Sequence, residues 1–129
     1  MIPTLRVARP TNNLASVRHF YMAGLGLAEL YSFAGHDGFD GLMLGHPQAP
    51  YHLEFTQQAG HVVPPAPTAE NLLVFYLPER LAWEAAVARL QAHGYAPVPA
   101  YNAYWDQQGL TFADPDGFWV VLQQATWNL

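Results

Sequence analysis

The chain contains no cysteine and no lysine, and only 12% of its 129 residues are charged. The lack of cysteine excludes disulfides, thiolate nucleophiles and sulfur ligands for zinc. The lack of lysine excludes Schiff-base chemistry and the phosphate-binding lysine of a P-loop. All five cations are arginines and the net charge is −5, so the chain has neither a basic stripe for nucleic acid nor a polybasic patch for a membrane surface.

Long hydrophobic runs are also missing. The N-terminal segment MIPTLRVARPTNN has arginine and proline where a signal peptide needs an apolar stretch. No apolar run approaches the ~20 residues that span a bilayer. We therefore expect a cytoplasmic protein. Apolar residues make up 51% of the chain, which is enough to fill the core of one domain.

The first half of the chain predicts one strand, one helix and three more strands. The strand over residues 5–11 is followed by Asn12 and Asn13, which favour a helix start, and the helix ends near Gly24 and Gly26. Strands are predicted over residues 27–33, 42–44 and 51–57, and the Asp-Gly turn between the first two is typical of a hairpin.

The second half repeats this order after a proline-rich linker. A strand over residues 72–77 precedes a helix that begins near Pro78 and ends at Gly94. Strands follow over residues 95–98, 110–113 and 118–123, with an aromatic loop at 102–109. Leu5 lies 21 residues before Gly26, as Leu73 does before Gly94, so the spacing indicates a duplication.

These elements predict one α+β domain over residues 1–129. Module one spans residues 1–59, the linker 60–70 and module two 71–129, and each module has the order βαβββ. Such a unit has one apolar face and needs a partner to cover it. We expect two paired modules whose curled mixed sheets enclose a cleft.

Three segments carry a family resemblance: NNLASVRHFYMAGLGL, YHLEF and TFADPDGFWVVLQ. Together they resemble the vicinal-oxygen-chelate superfamily, which includes glyoxalase I, extradiol dioxygenases, and fosfomycin- and bleomycin-resistance proteins. The resemblance implies a glyoxalase/bleomycin-resistance fold and a homodimer. It also implies a divalent metal bound by one residue from the first and last strand of each module.

The four places that the resemblance assigns to metal ligands are unusual in this chain. They fall on Arg6, Glu54, Val121 and Leu72, or on Asn71 if the register slips by one residue. Only Glu54 is a common metal ligand, and a catalytic site generally needs three protein ligands. Arg6 would place a permanent cation where the family holds its metal. We therefore expect no cofactor, with a divalent metal as the less favoured alternative.

Strand alternation predicts the residues that line the cleft. Arg6, His52, Glu54 and Thr56 would form a polar wall. Apolar and aromatic residues would form the opposite wall. Tyr104 and Trp105 of the long loop would close over the cleft. Tyr76 and Trp119 belong to that aromatic wall in one register and to the core in the other.

Three functions are compatible with these residues, and the least favoured is an interaction module whose cleft is filled with side chains. The favoured one is metal-independent binding of a small amphipathic organic molecule, in the manner of a bleomycin-resistance protein. Arg6 would pair with Glu54 or clamp an anionic group, and in a shielded cleft loss of one partner would cost roughly 3–5 kcal/mol. The alternative is a glyoxalase-like lyase or dioxygenase whose non-standard metal site uses His52 and Glu54. His52 is otherwise a hydrogen-bonded wall residue or part of a base dyad with Glu54.

Overall fold

The computed structural model describes residues 1–127. The chain consists of two units, Met1–Pro64 and Pro65–Leu129, and the division falls inside the predicted linker. Residues 128 and 129, the last two of predicted module two, lie outside the described residues.

The first unit contains a four-stranded mixed sheet and one helical segment. Its strands are β1 (Leu5–Pro10), β2 (Ala28–His36), β3 (Phe39–Gly45) and β4 (Tyr51–Gln58), in the sheet order β1-β4-β3-β2. Strand β1 is parallel to β4, and the other neighbours are antiparallel. The helix α1 (Leu14–Arg18) continues as a π-helical turn, His19–Gly24. All the elements predicted for module one are present.

The helix of the first unit begins and ends as its sequence predicts. The Asn13 side chain accepts a hydrogen bond from the Ser16 amide at 3.1 Å, which caps an otherwise unpaired N–H group. Beyond the π-helical turn, Gly26 has a φ of +81°, which favours glycine. Phe20 and Tyr21 of this segment are fully buried, and the Tyr21 ring lies 4.9 Å from the ring of Phe55 on β4. The helical segment therefore covers the face of β4 that Phe55 occupies.

The second unit contains a three-stranded sheet and two helices. Its elements are β5 (Leu72–Tyr76), α2 (Arg80–Ala92), α3 (Tyr104–Gln107), β6 (Gly109–Ala113) and β7 (Trp119–Gln123). The sheet order is β5-β7-β6, with β5 parallel and β6 antiparallel to β7. Trp83 of α2 donates from its indole N–H to the Leu122 carbonyl at 2.9 Å, which ties the helix to the central strand. Within residues 1–127, no helix has the length and apolar character needed to cross a bilayer.

Two predictions for the second module are wrong in detail. The strand expected over residues 95–98 is reduced to one bridge between Val98 and Thr111, so three strands are described here instead of four. Pro97 and Pro99 flank the bridge and lack the N–H groups that a ladder requires. The loop predicted over residues 102–109 also contains the short helix α3.

The predicted DPDG turn is confirmed. The Asp114 side chain accepts hydrogen bonds from the Asp116 and Phe118 amides, both at 2.9 Å. Gly117 has a φ of +88°, which side chains rarely tolerate. The turn reverses the chain between β6 and β7 and thereby sets their antiparallel register.

Candidate functional site

A cluster of ionisable side chains lies on the sheet face of the first unit that points away from Phe55. The parallel register of β1 and β4 places Arg6 beside His52, and alternation along β4 brings Glu54 to the same face. The Arg6 Nε donates to His52 Nε2 at 2.8 Å, and Arg6 Nη1 lies 3.5 Å from Glu54 Oε2. The structure thus brings together three of the residues predicted to line the site.

Arg6 contacts both acceptors of the cluster through different nitrogens. Its Nε donates to His52 Nε2, and its Nη1 donates to Glu54 Oε2. The Nη2 group of Arg6 donates a hydrogen bond to no described residue. The cluster can therefore offer N–H donors to a further acceptor.

Solvent reaches the Arg6–Glu54 pair. The side chain of Arg6 is 48% exposed and that of Glu54 is 17% exposed. The cost expected for breaking a shielded pair, roughly 3–5 kcal/mol, is therefore too high for this site. Exposed ion pairs typically contribute about 0.2–1 kcal/mol.

The donor set does not fit the divalent ion that the superfamily resemblance implies. Within residues 1–127, no group of three or more His, Cys, Asp or Glu side chains is placed to hold an ion. His52 and Glu54 are two candidate ligands on one face, but Arg6 directs N–H groups at both. A guanidinium at hydrogen-bonding distance would repel a cation bound to the same two side chains.

Two aromatic rings extend the polar cluster across the sheet. Tyr31 pairs with Met43, which pairs with Glu54, so the three residues form one row on the same face. The Phe33 ring lies over Gly41, where an added Cβ would come within 2.2 Å of the ring. The rings of Tyr31 and Phe33 are 6.4 Å apart.

Sequence reasoning missed both aromatic residues of β2. The predicted cleft lining of module one comes from its first and fourth strands alone, whereas the alternation of Tyr31 and Phe33 is the signal that indicates β2. A bulge between Glu29 and Tyr31 shifts the register of β2 against β3 and sets which residues of β2 share the face of Glu54. The predicted residue Thr56 lies in the next row, opposite Gly41 and Phe33.

The predicted aromatic residues of the second unit are distributed over its sheet. Trp119 pairs with Leu72 and Gln123 pairs with Tyr76, so Trp119 and Tyr76 share one face at opposite ends of the strands. Trp119 is half-buried and Tyr76 is 38% exposed, with its ring 6.4 Å from that of Trp127. Neither belongs to the fully buried core, which was the alternative left open by the sequence.

The two remaining predicted residues lie on α3. The rings of Tyr104 and Trp105 meet edge to face, with centroids 5.0 Å apart. Trp105 and Leu72 line the same cavity, so Trp105 lies at the Trp119 end of β5. Tyr76, at the other end of β5, is not part of this cavity lining.

The second sheet also carries two buried polar atoms without a hydrogen-bond partner among the described residues. They are Thr111 Oγ1 and Gln123 Oε1. Thr111 pairs with Val121, two residues before Gln123, so both polar side chains point to the face of Val121. A buried polar group left unpaired costs about 1–3 kcal/mol, so this face has unused hydrogen-bonding capacity.

Comparison with known proteins assigns the chain to a family. The model of the YycE-like N-terminal domain matches residues 5–56, and that of the YycE-like C-terminal domain matches residues 70–124. The uncharacterized protein YycE of Bacillus subtilis (strain 168) is 42% identical over 121 residues, covering 94% of this chain and 87% of YycE. The chain belongs to the YycE-like family. The crystal structure of a YycE protein from Bacillus subtilis agrees with this, with a TM-score of 0.91 and 40% identity over 98% of this chain and 93% of that one.

More distant structures share the fold of this YycE-like chain. The trypanothione-dependent glyoxalase I of Leishmania major has a TM-score of 0.73 at 18% identity, covering 95% of this chain and 86% of that one. The antibiotic binding protein TnmS3 from Streptomyces sp. CB03234 has a TM-score of 0.66 at 23% identity, covering 96% and 95%. The predicted α+β fold and the resemblance to the vicinal-oxygen-chelate superfamily are confirmed.

Proposed function

We propose that this YycE-like protein binds a small amphipathic organic molecule without the help of a metal ion. The observation that carries the proposal is the contact of the Arg6 guanidinium with both His52 and Glu54. These two side chains are the metal-ligand types within hydrogen-bonding distance of Arg6, which engages both. The guanidinium supplies the positive charge that an ion would otherwise bring to this face.

The chemistry of the face indicates an anionic group on an apolar skeleton. The Nη2 group of Arg6 has no partner in the described chain, and a planar guanidinium fork matches a carboxylate. Tyr31 and Phe33 provide aromatic area on the same face. A few polar groups beside apolar surface are typical of small-molecule sites. The likeness in fold to TnmS3, an antibiotic binding protein, supports a role in small-molecule binding.

Titration with benzoate tests this proposal. We expect benzoate to bind with the same affinity in the presence and absence of a chelator, since Arg6 supplies the charge. Arg6→Gln should weaken binding by about tenfold or more, because a charge-assisted pair is lost. The matched control is Arg80→Gln, which removes an exposed arginine of α2 that pairs with Glu84. Binding that disappears with chelator, or that survives Arg6→Gln unchanged, would refute the proposal.

The second candidate is a glyoxalase-like lyase or dioxygenase, and one observation favours it. His52 and Glu54 lie two residues apart on the same face, so they would contribute two ligands to a non-standard metal site. About one tightly bound transition metal per chain would support this candidate. Homodimer formation, a cytoplasmic location and ligand contacts by Tyr76, Tyr104, Trp105 and Trp119 remain predictions.

A further inference from the structure

The second unit contains a cavity of about 400 Å³, and all of its lining residues belong to that unit. One wall is formed by residues 69–72, where the chain enters β5, and the other by the loop that leads into α3. The volume is within the range of small-molecule sites. The lining residues are Ala69, Glu70, Leu72, Ala100, Tyr101, Asn102 and Trp105.

The charge of this cavity is of one sign. Apart from the phenol of Tyr101, Glu70 is the only ionisable side chain in the lining. In residues 1–127, the Glu70 carboxylate forms no ion pair, and its one side-chain partner is the Thr68 hydroxyl, which donates at 3.2 Å. The carboxylate therefore retains acceptor capacity that no protein cation satisfies.

An aromatic face accompanies this carboxylate. Trp105 is half-buried and contacts Tyr104 edge to face, with ring centroids 5.0 Å apart. Tyr101, on the same lining, is 71% exposed. An indole ring attracts a cation to its face through its quadrupole, and tryptophan is the strongest side chain in this respect.

Local hydrogen bonds hold both walls in place. On the loop, the Asp106 carboxylate accepts from the Ala100 amide at 3.2 Å, and the Asn102 side chain accepts from the Tyr104 amide at 3.0 Å. On the opposite wall, the Thr68 hydroxyl accepts from the Glu70 amide at 3.1 Å. A site whose walls are already ordered loses less entropy when a ligand binds.

We infer that this cavity binds an organic cation, a protonated amine carried on an aromatic or alicyclic skeleton, with its ammonium group between Glu70 and Trp105. The carboxylate supplies the charge-assisted hydrogen bond, and the indole and Leu72 supply the apolar contact. The inference rests on the proposed function as a small-molecule binder and adds the ligand class that the second unit recognises. It requires no metal and no covalent step.

A matched series of one-ring probes tests the inference on the full chain. Benzylammonium, benzyl alcohol and benzoate are similar in size and differ in charge. Binding is followed by NMR at the indole N–H of Trp105, assigned with Trp105→Phe. We expect benzylammonium to bind about tenfold more tightly than benzyl alcohol and Glu70→Gln to remove that preference. The control is Glu79→Gln, which removes an exposed acid that forms no side-chain cap at the start of α2.

Three results would contradict a cation site in the second unit. Equal affinities for benzylammonium and benzyl alcohol, a Trp105 signal that does not move, or a preference that survives Glu70→Gln would overturn it. If benzoate still binds through Arg6 in that case, the proposed function stands and only the cation site fails. If benzoate does not bind through Arg6, the proposed function fails, whatever happens at Trp105.

Discussion

The coupling between Arg6 and Glu54 is the quantity that the site geometry predicts most directly. At 3.5 Å, Coulomb's law gives an attraction of about 1.2 kcal/mol at the dielectric constant of water and about 5 kcal/mol at an effective value of 20. Because the Arg6 side chain is 48% exposed, the attraction is close to the value for water. The entropy lost when this long side chain is ordered reduces the net attraction further. We expect a coupling free energy of about 0.5–1 kcal/mol.

A double-mutant cycle measures this coupling. Urea unfolding of the wild type, Arg6→Met, Glu54→Gln and the double variant isolates the pair, since the loss of the His52 hydrogen bond occurs in both variants that lack Arg6. Arg80 and Glu84 form a reference pair on α2, with side chains 78% and 46% exposed. Its coupling should be weaker than that of Arg6 and Glu54, although its N–O distance of 2.8 Å is shorter, because both of its side chains are more exposed. A coupling of zero for Arg6 and Glu54 at low salt, or one that salt leaves unchanged, would refute the reasoning.

Three further predictions concern stability. Gly109→Ala should destabilise the protein by about 1–3 kcal/mol in urea unfolding, because its Cβ would lie 2.9 Å and 3.0 Å from two backbone carbonyl oxygens; an unchanged midpoint would contradict this. Trp83→Phe should cost about 1 kcal/mol by the same assay, because the Leu122 carbonyl loses its indole donor; no loss would show that the bond is not formed. The Arg18 hydrogen bond holds the pKa of Glu29 below its ordinary value of 4.5, so Glu29→Gln should be less stable than the wild type at neutral pH. That difference should disappear as acid protonates Glu29 below pH 4.5, and a gap that persists at low pH would contradict the assignment.

Local sequence signals predicted most of the fold because each has a local physical cause. The cap at Asn13 and the turn glycine Gly117 act within a few residues, and both are where the sequence places them. The one strand that did not form lies at Pro97, where two prolines close together remove ladder donors. The two prolines therefore prevented a strand that the repeated order of elements had predicted.

Parts of the candidate site could not be predicted, because they depend on contacts between distant segments. Alternation placed His52 and Glu54 on one face, but the hydrogen bond from Arg6 depends on the register of two strands 46 residues apart. The bulge that follows Glu29 has no clear signal in its residues. The sequence predicts Glu70 at the end of the linker, and only the folded chain brings it to the cavity that Trp105 lines.

The central claim is that a guanidinium takes the place of a metal ion beside His52 and Glu54. The most direct test is the anomalous diffraction of a crystal grown with both zinc and benzoate. We expect benzoate with its carboxylate on Arg6 and no zinc at the two side chains. A zinc ion at about 2.0–2.2 Å from Glu54 and His52 would contradict the claim.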